Sequence, residues 1–335
     1  MPNKNQIIIG TPKTFHRTIE QIRAHGKLSA PRGEPTIELL NSTIIFRNPR
    51  DRIIHDPARK INIAFAIAEF ASILFEIEDV DFFTKFIKDY GKYSSNGLVV
   101  DGCYGPRIHG RIGIHEVIDA LIKDPFTRRA VLPVFQYEDL RSPSLNTPCT
   151  LSLQFLARDG ELDMIVNMRS SDIVRGVTYD LFVFTIIQEL IARKLGYALG
   201  TYHHNAGSLH LYESDLLMVN SMGYAKRWPH LMNEMPEWMA ADLAIFKEMV
   251  LAEDNGTWFA LAMAPVDFSS WSTEEARSYF VSLAATMKAF TDRKTDPATA
   301  AKIYNFIDDN SLRHALRPWM KSIIEDVPEV EPELA

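Results

Sequence analysis

The segment INIAFAIAEFASILFEI, residues 61–77, constrains the fold more than any other part of the chain. A helix at the surface of a soluble protein carries one apolar stripe, whereas this one is apolar almost all round. It must therefore be enclosed on every side, and Glu69 in its middle is conspicuous. A second long apolar stretch, YDLFVFTIIQELIARKLG (179–196), predicts another buried helix stopped by Gly196. KTFHRTIEQIRAHG (13–26) has helical spacing and stops at Gly26. Between these stand short β-branched and apolar runs: TIELLNSTIIFRN, RRAVLPVFQY, CTLSLQFLA and ELDMIVNMR. They predict strands joined by tight turns such as RDGE. The expected fold class is therefore α+β, a mixed sheet with a long buried helix. Residues 216–325 have helical patterning, rich in Ala, Met, Trp and Glu, and carry no readable chemistry. The expected organisation is a catalytic core over 1–215 and a helical C-terminal extension, 216–335, packed on it. The acidic tail EDVPEVEPELA is expected to be a mobile end.

Composition narrows the function classes. The chain of 335 residues is 46% hydrophobic with a net charge of -7, which argues against broad DNA or RNA binding. A local anion site remains open, because a phosphate needs only a few well-placed arginines. No apolar run is long enough to span a bilayer, and the N-terminus lacks a secretory pattern. Two cysteines make no disulfide framework, so a reducing cytoplasm is the expected setting.

Cys149 lies in NTPCTLSLQF, after a proline and at the start of a strand. An isolated cysteine is ordinarily a small buried hydrophobe. Arg128 and Arg129 precede this one and Arg169 follows it, and such cations could both hold a dianionic phosphate and lower the thiol pKa. Glu69 is either a satisfied core carboxylate or an acid with a raised pKa that manages protons. His203, His204 and His210 have poor zinc spacing, so no metal is expected. Cys103 reads as a reduced structural cysteine.

PCTLSLQF, a turn, MRSSDIVRGVTYD and then HLY together resemble the thymidylate synthase family, in its order and nearly its spacing. DPFTRRAVLPVF and DGCYGPRIHG resemble further family segments upstream. The helix of Glu69 and the arginine of APRGEPT, Arg32, also match, and the resemblance covers roughly residues 13–215. It implies a thymidylate synthase-like fold and an obligate homodimer. It also implies that the Cys149 thiolate adds to C6 of a pyrimidine nucleoside monophosphate, so that C5 attacks the methylene of 5,10-methylenetetrahydrofolate. By the same resemblance Arg32, Arg128, Arg129 and Arg169 grip the phosphate with Ser170, and Arg128 and Arg129 come from the partner subunit. Asp172 contacts the base, His210 and Tyr212 hold the sugar 3′-hydroxyl, Tyr104 belongs to the Tyr-Gly loop, and Glu69 moves protons through water.

The informative departure is Tyr179-Asp180, where methylating members carry Phe-Asn. The asparagine amide accepts from uracil N3–H and donates to O4. A carboxylate accepts from the N4 amino group of cytosine, and an acid proton can be shared with N3. Ionised and opposite uracil O4, it would set two acceptors together at a cost of about 1–3 kcal/mol. Asp180 is the mark of the family's deoxycytidylate hydroxymethylases; its local alternative is a helix N-cap. Thr150 replaces the usual histidine after the cysteine, YSSNGLVVDG lacks tryptophans, and EPELA lacks the apolar closing residues. A site open to water would hydrate the methylene intermediate to a hydroxymethyl group. The expectation is 5-hydroxymethylation of dCMP, with CMP as its ribose counterpart. Ser170, Arg128, His210 and Tyr212 match the deoxynucleotide branch. A dUMP methylase and a non-catalytic nucleotide-binding protein are the alternatives.

Overall fold

The computed structural model describes residues 6–9, 12–109, 113–142, 144, 146–223, 231–267 and 270–324. The acidic tail, with EPELA, lies outside the described residues. Among the described residues, seven strands form one mixed sheet: β1 (Gln6–Ile9), β2 (Lys27–Ser29), β3 (Thr36–Phe46), β4 (Val131–Pro133), β5 (Thr150–Arg158), β6 (Glu161–Asp172) and β7 (Ala198–Tyr212). Their order is β1-β3-β7-β6-β5-β4, with β2 also on β3. β1 runs parallel to β3 and β6 parallel to β7, while the other pairs are antiparallel. The β5–β6 hairpin turns at Asp159 (φ 50°) and Gly160 (φ 83°), the doubly left-handed turn that Asp-Gly favours. β7, the longest strand among the described residues, pairs with β3 on one side and β6 on the other. The sequence pattern does not announce it: polar His203, His204 and Asn205 interrupt any apolar alternation.

Among the described residues, twelve α-helices accompany the sheet. In the first part of the chain they are α1 (Pro12–His25), α2 (Ile63–Phe75), α3 (Val80–Thr84), α4 (Gly105–Ile108), α5 (Ile114–Lys123), α6 (Val177–Leu195) and α7 (Leu216–Ser221). The rest are α8 (Ala240–Leu251), α9 (Asn255–Ala262), α10 (Glu274–Asp292), α11 (Pro297–Tyr304) and α12 (Asn310–Met320). The Asn62 side chain accepts from the Phe65 amide to start α2, and Glu76 (φ 56°) ends it in the left-handed region. Gly196 (φ 73°) ends α6 in the same way.

The all-round apolarity of α2 is explained by what surrounds it. It packs on α4, α6, α8, α10 and α12. Polar joints tie the later helices down. Trp319 donates to the Ile61 carbonyl (2.9 Å), and His55 meets Ser311 (3.1 Å). The buried Arg52–Glu189 pair (2.6 Å) shares its carboxylate with the Met235 amide (2.9 Å). Among the described residues no helix is long and apolar enough to cross a membrane.

Candidate active site

A cavity of about 670 Å³ opens over one face of the sheet, between the N-terminal end of β3, the C-terminal ends of β6 and β7 and the helices α2 and α6. Cys149, Glu69, Asp180, Arg32, Arg169, Ser170, Asp172, His210, Tyr212 and Tyr104 all line it. Arg128 and Arg129 do not. They are exposed on the turn before β4, where the Arg128 carbonyl accepts from Gln154 (3.1 Å). A second lobe of about 160 Å³ shares Cys149, Glu69, Tyr104 and Asp180 with the first. Tyr90 lines both, and the second lobe adds apolar Ile73, Phe83 and Val100 together with Ser72 and Cys103. Gly102, also in that wall, sits at φ 67°, and a Cβ there would stand 2.2 Å from the Asn146 carbonyl oxygen.

Cys149 stands at the mouth of β5, its carbonyl accepting from the Arg169 amide (2.8 Å). Arg169 reaches back over this turn, donating to the carbonyls of Pro148 (2.9 Å) and Thr147 (2.9 Å). The expectation that arginines lower the thiol pKa is corrected here. Burial raises it, and the lowering by Arg169 and Arg32, opposed by Asp180 and Asp172, does not reverse that. Thr150 points inward and donates to the Tyr104 hydroxyl (3.0 Å), which leaves the phenol's own proton for the cavity. Burial pushes the Tyr104 pKa up, so the phenol stays protonated.

Two acids, Glu69 and Asp180, line the cavity within electrostatic reach of each other. Glu69 is raised to about 8 by burial and then by the charge of Asp180. Asp180 is raised to about 7 by burial and then by Asp172. Glu69 is therefore half of a pair, where the sequence suggested a lone acid. The N-cap alternative for Asp180 fails, because α6 starts at Val177 behind Gly176 and Asp180 lies inside its first turn. Arg59 braces that turn, donating to the Val174 carbonyl (2.8 Å) and Thr178 Oγ1 (3.1 Å) and lying 5.3 Å over the Tyr179 ring.

The other wall is built from strand ends. Asp172 Oδ1 accepts from the amides of Val174 (2.6 Å) and Arg175 (2.7 Å), while its buried Oδ2 has no hydrogen-bond partner among the described residues. Burial raises the Asp172 pKa. The His210 ring meets Tyr212 edge-on at 5.2 Å, and Arg175 lies 5.2 Å over the Tyr212 ring. Arg32 sits at φ 57° in the turn before β3, an uncommon conformation for a residue with a Cβ. Glu38 and Ser208 also line this wall and are bonded to each other (2.6 Å). Neither is singled out by any motif; the signal that could have found Glu38 is its spacing of two from Thr36 on one face of β3. Cys103 is half-buried against the Ile77 carbonyl, its pKa pushed to about 11 by burial, as an inert thiol should be. His204 is buried between Ser171 (2.9 Å) and Tyr202 (3.0 Å), and burial lowers its pKa to about 4.

Comparison with known proteins adds identity to this geometry. The sequence profile of the family described as thymidylate synthase matches residues 13–231. A deoxyuridylate hydroxymethyltransferase of Bacillus phage SP01 is 32% identical over 206 residues, 57% of this chain and 54% of the relative. Its counterpart in Pseudomonas phage M6 is 30% identical over 208 residues, 60% of this chain and 59% of the relative. The thymidylate synthase of Listeria monocytogenes serotype 4a (strain HCC23) is 26% identical over 161 residues, 48% and 46% of the two chains. The chain thus spans about half the length of the curated relatives it matches. Among solved structures, thermostable thymidylate synthase A from Bacillus subtilis superposes with a TM-score of 0.55 at 18% identity, covering 67% of this chain and 87% of that one. That last likeness concerns the fold alone, which is thymidylate synthase-like.

Proposed function

The chain belongs to the thymidylate synthase family, and from that premise we propose that it hydroxymethylates C5 of a cytosine nucleoside monophosphate, dCMP or CMP. The observation that carries the reading is Asp180, a buried acid on α6 in a cavity wall shared with Cys149 and Glu69. Near neutrality its carboxyl is poised to share a proton. Cytosine N3 can hold that proton as well as Asp180 can, while the other oxygen accepts from N4–H. Bound in one cavity with Cys149, the pyrimidine is activated at C5 when the thiolate adds to C6. Because burial keeps the free thiol protonated, thiolate formation awaits the arrival of further positive charge.

Arg128 and Arg129 are the natural source of that charge. We assign them to the partner subunit's site, since they are exposed and outside the cavity of their own. The sheet face beside them supports a homodimer: a hydrogen-bonded row Thr43–Asn205–Asn167–Ser152 crosses four strands. Arg32, Arg169 and Ser170 then hold the phosphate from within, Asp172 contacts the base, and His210 with Tyr212 takes the sugar 3′-hydroxyl. The apolar and aromatic second lobe fits a flat heterocycle such as that of methylenetetrahydrofolate, with Tyr90 and Phe83 as its walls. That folate supplies an electrophilic carbon when bound. Glu69, protonated at neutral pH, moves protons beside C5 through water. The helices beyond residue 215 serve as an extension that braces α2, the helix bearing Glu69.

A second reading, uridylate as substrate, is favoured by the names of the phage relatives. A protonated Asp180 offers the same donor and acceptor as an amide, which makes that reading chemically sound. One experiment separates them: incubation with methylenetetrahydrofolate and each of dCMP, CMP, dUMP and UMP, with products weighed by mass spectrometry. Hydroxymethylated cytidylate as the main product is expected. A methylated product, or preference for uridylates over both cytidylates, overturns the proposal.

A further inference from the structure

We infer that Glu38 reads the sugar: one oxygen of its carboxylate accepts a hydrogen bond from the 2′-hydroxyl, which makes the ribonucleotide the preferred substrate. This rests on the nucleotide-binding reading of the cavity given above.

The sheet register carries the argument. Antiparallel pairing sets Glu38 opposite His210, and parallel pairing sets Asp172 on the other flank of His210. A row Glu38–His210–Asp172 therefore crosses three strands on the cavity face. The row on one side holds Ser208 and Ser170, and the row on the other holds Thr36 and Tyr212. Ser208 Oγ donates to Glu38 Oε2 at 2.6 Å, which fixes the carboxylate in place. This is its only hydrogen bond among the described residues; Glu38 lines the cavity, and its Oε1 is available to accept another.

An acceptor there must meet a donor, which rules out most of a nucleotide. The phosphate has only acceptors and would be repelled; it is met by Arg32 and Arg169. The base is read from the helical wall by Asp180. Only sugar hydroxyls remain. With the 3′-hydroxyl on His210 and Tyr212, the vicinal 2′-hydroxyl of a ribose leaves the adjacent carbon on the same face, beside the neighbour of His210. Of the two residues that flank His210, Asp172 is given to the base, which leaves Glu38. Deoxyribose leaves Oε1 to water. Ser170 and Arg128 match the deoxynucleotide branch by resemblance, and Glu38 is the feature that runs against it. A site built to bond a hydroxyl discriminates against the analogue that lacks it, here by roughly ten- to a hundredfold for a charged acceptor.

The test compares kcat/KM for CMP, dCMP, UMP and dUMP in the wild type, Glu38→Gln and Glu38→Ala, with Kd for the same nucleotides measured by calorimetry without folate. The wild type should favour ribose by roughly tenfold or more within each base. Glu38→Ala should bring the ribose-to-deoxyribose ratio close to one, and Glu38→Gln, which keeps an acceptor oxygen, should fall between. Wild-type preference for deoxyribose overturns the inference, as does an equal loss on both sugars in the variants. Because the ratio is taken on each base, turnover of uridylates would sink the cytosine reading and leave the sugar ratio legible. Calorimetry supplies that ratio if nothing turns over, and failure to bind any of the four nucleotides overturns both readings. Thermal melts identify a misfolded variant, in which case the wild-type ratio decides.

Discussion

Replacing Glu69 by glutamine should make the protein more stable and inactive, and the gain in stability should grow with pH. Burial raises Glu69 from an ordinary 4.5 to about 8. In the unfolded chain the carboxyl ionises at its ordinary value, while the folded protein keeps its proton until the higher one. Between the two, the folded state holds a proton the unfolded state has lost, so stability falls as pH rises. The slope is about 1.4 kcal/mol per pH unit, and glutamine, which does not titrate, removes it. The whole window would sum to about 5 kcal/mol. Glu69 lines a cavity that water can reach, so about 2–4 kcal/mol at pH 8 is the working figure, shrinking towards zero at pH 4 to 5. Urea unfolding of both proteins at fixed concentration, from pH 5 to 9, measures it. A constant offset between the two curves would refute the reasoning, because a non-titrating packing effect has no pH slope. So would a difference that widens towards acid.

Further outcomes follow from the same geometry. Cys149→Ser should abolish turnover while calorimetry still detects nucleotide binding, since a hydroxyl is a far weaker nucleophile than a thiolate. Asp180→Asn should move the ratio of cytidylate to uridylate turnover towards uridylate by roughly one to two orders of magnitude, with the product still hydroxymethylated; an unchanged ratio would remove Asp180 from base reading. Mixed dimers of Cys149→Ala and Arg129→Ala subunits should recover activity that neither parent has, because one site regains both groups; none in verified heterodimers would return the arginine to its own subunit. His204, lowered to about 4 by burial, should make the protein lose stability as pH falls from 6.5 through 4, and His204→Gln should flatten that acid limb in thermal melts.

Much of this was legible in the sequence where one local pattern decides one element. The all-round apolarity of 61–77 marked a buried helix, Asp159-Gly160 marked a hairpin, and Gly196 marked a helix end. β7 escaped because its inward polar residue His204 is satisfied by partners on β6 and on its own strand, which no local alternation records. The site motifs brought Cys149, Asp172, Asp180 and His210 into one cavity. Glu38 was invisible because its meaning comes from the strand opposite, 172 positions later in the chain at His210. The Cys149 pKa went the other way for a related reason. Arginines near in sequence act on the thiol only if they are near in space, and Arg128 and Arg129 point elsewhere in their own subunit.

The enclosure of α2 has a consequence for how such a chain can change. A helix with a water-facing side has positions where substitution costs almost nothing, but Ala64, Ala66, Ala68 and Ala71 are all fully covered. Each added methylene there must displace one of the helices packed on α2, such as α6 or α10, and overpacking of this kind typically costs about 1–3 kcal/mol. Glu69 therefore rides on a backbone with almost no room for drift, whereas Asp180, Glu38 and Arg32 lie on three other elements. On the proposed reading, the proton carrier is locked, while the readers of base, sugar and phosphate can be exchanged one at a time. New substrates can be reached by single steps that leave the chemistry standing.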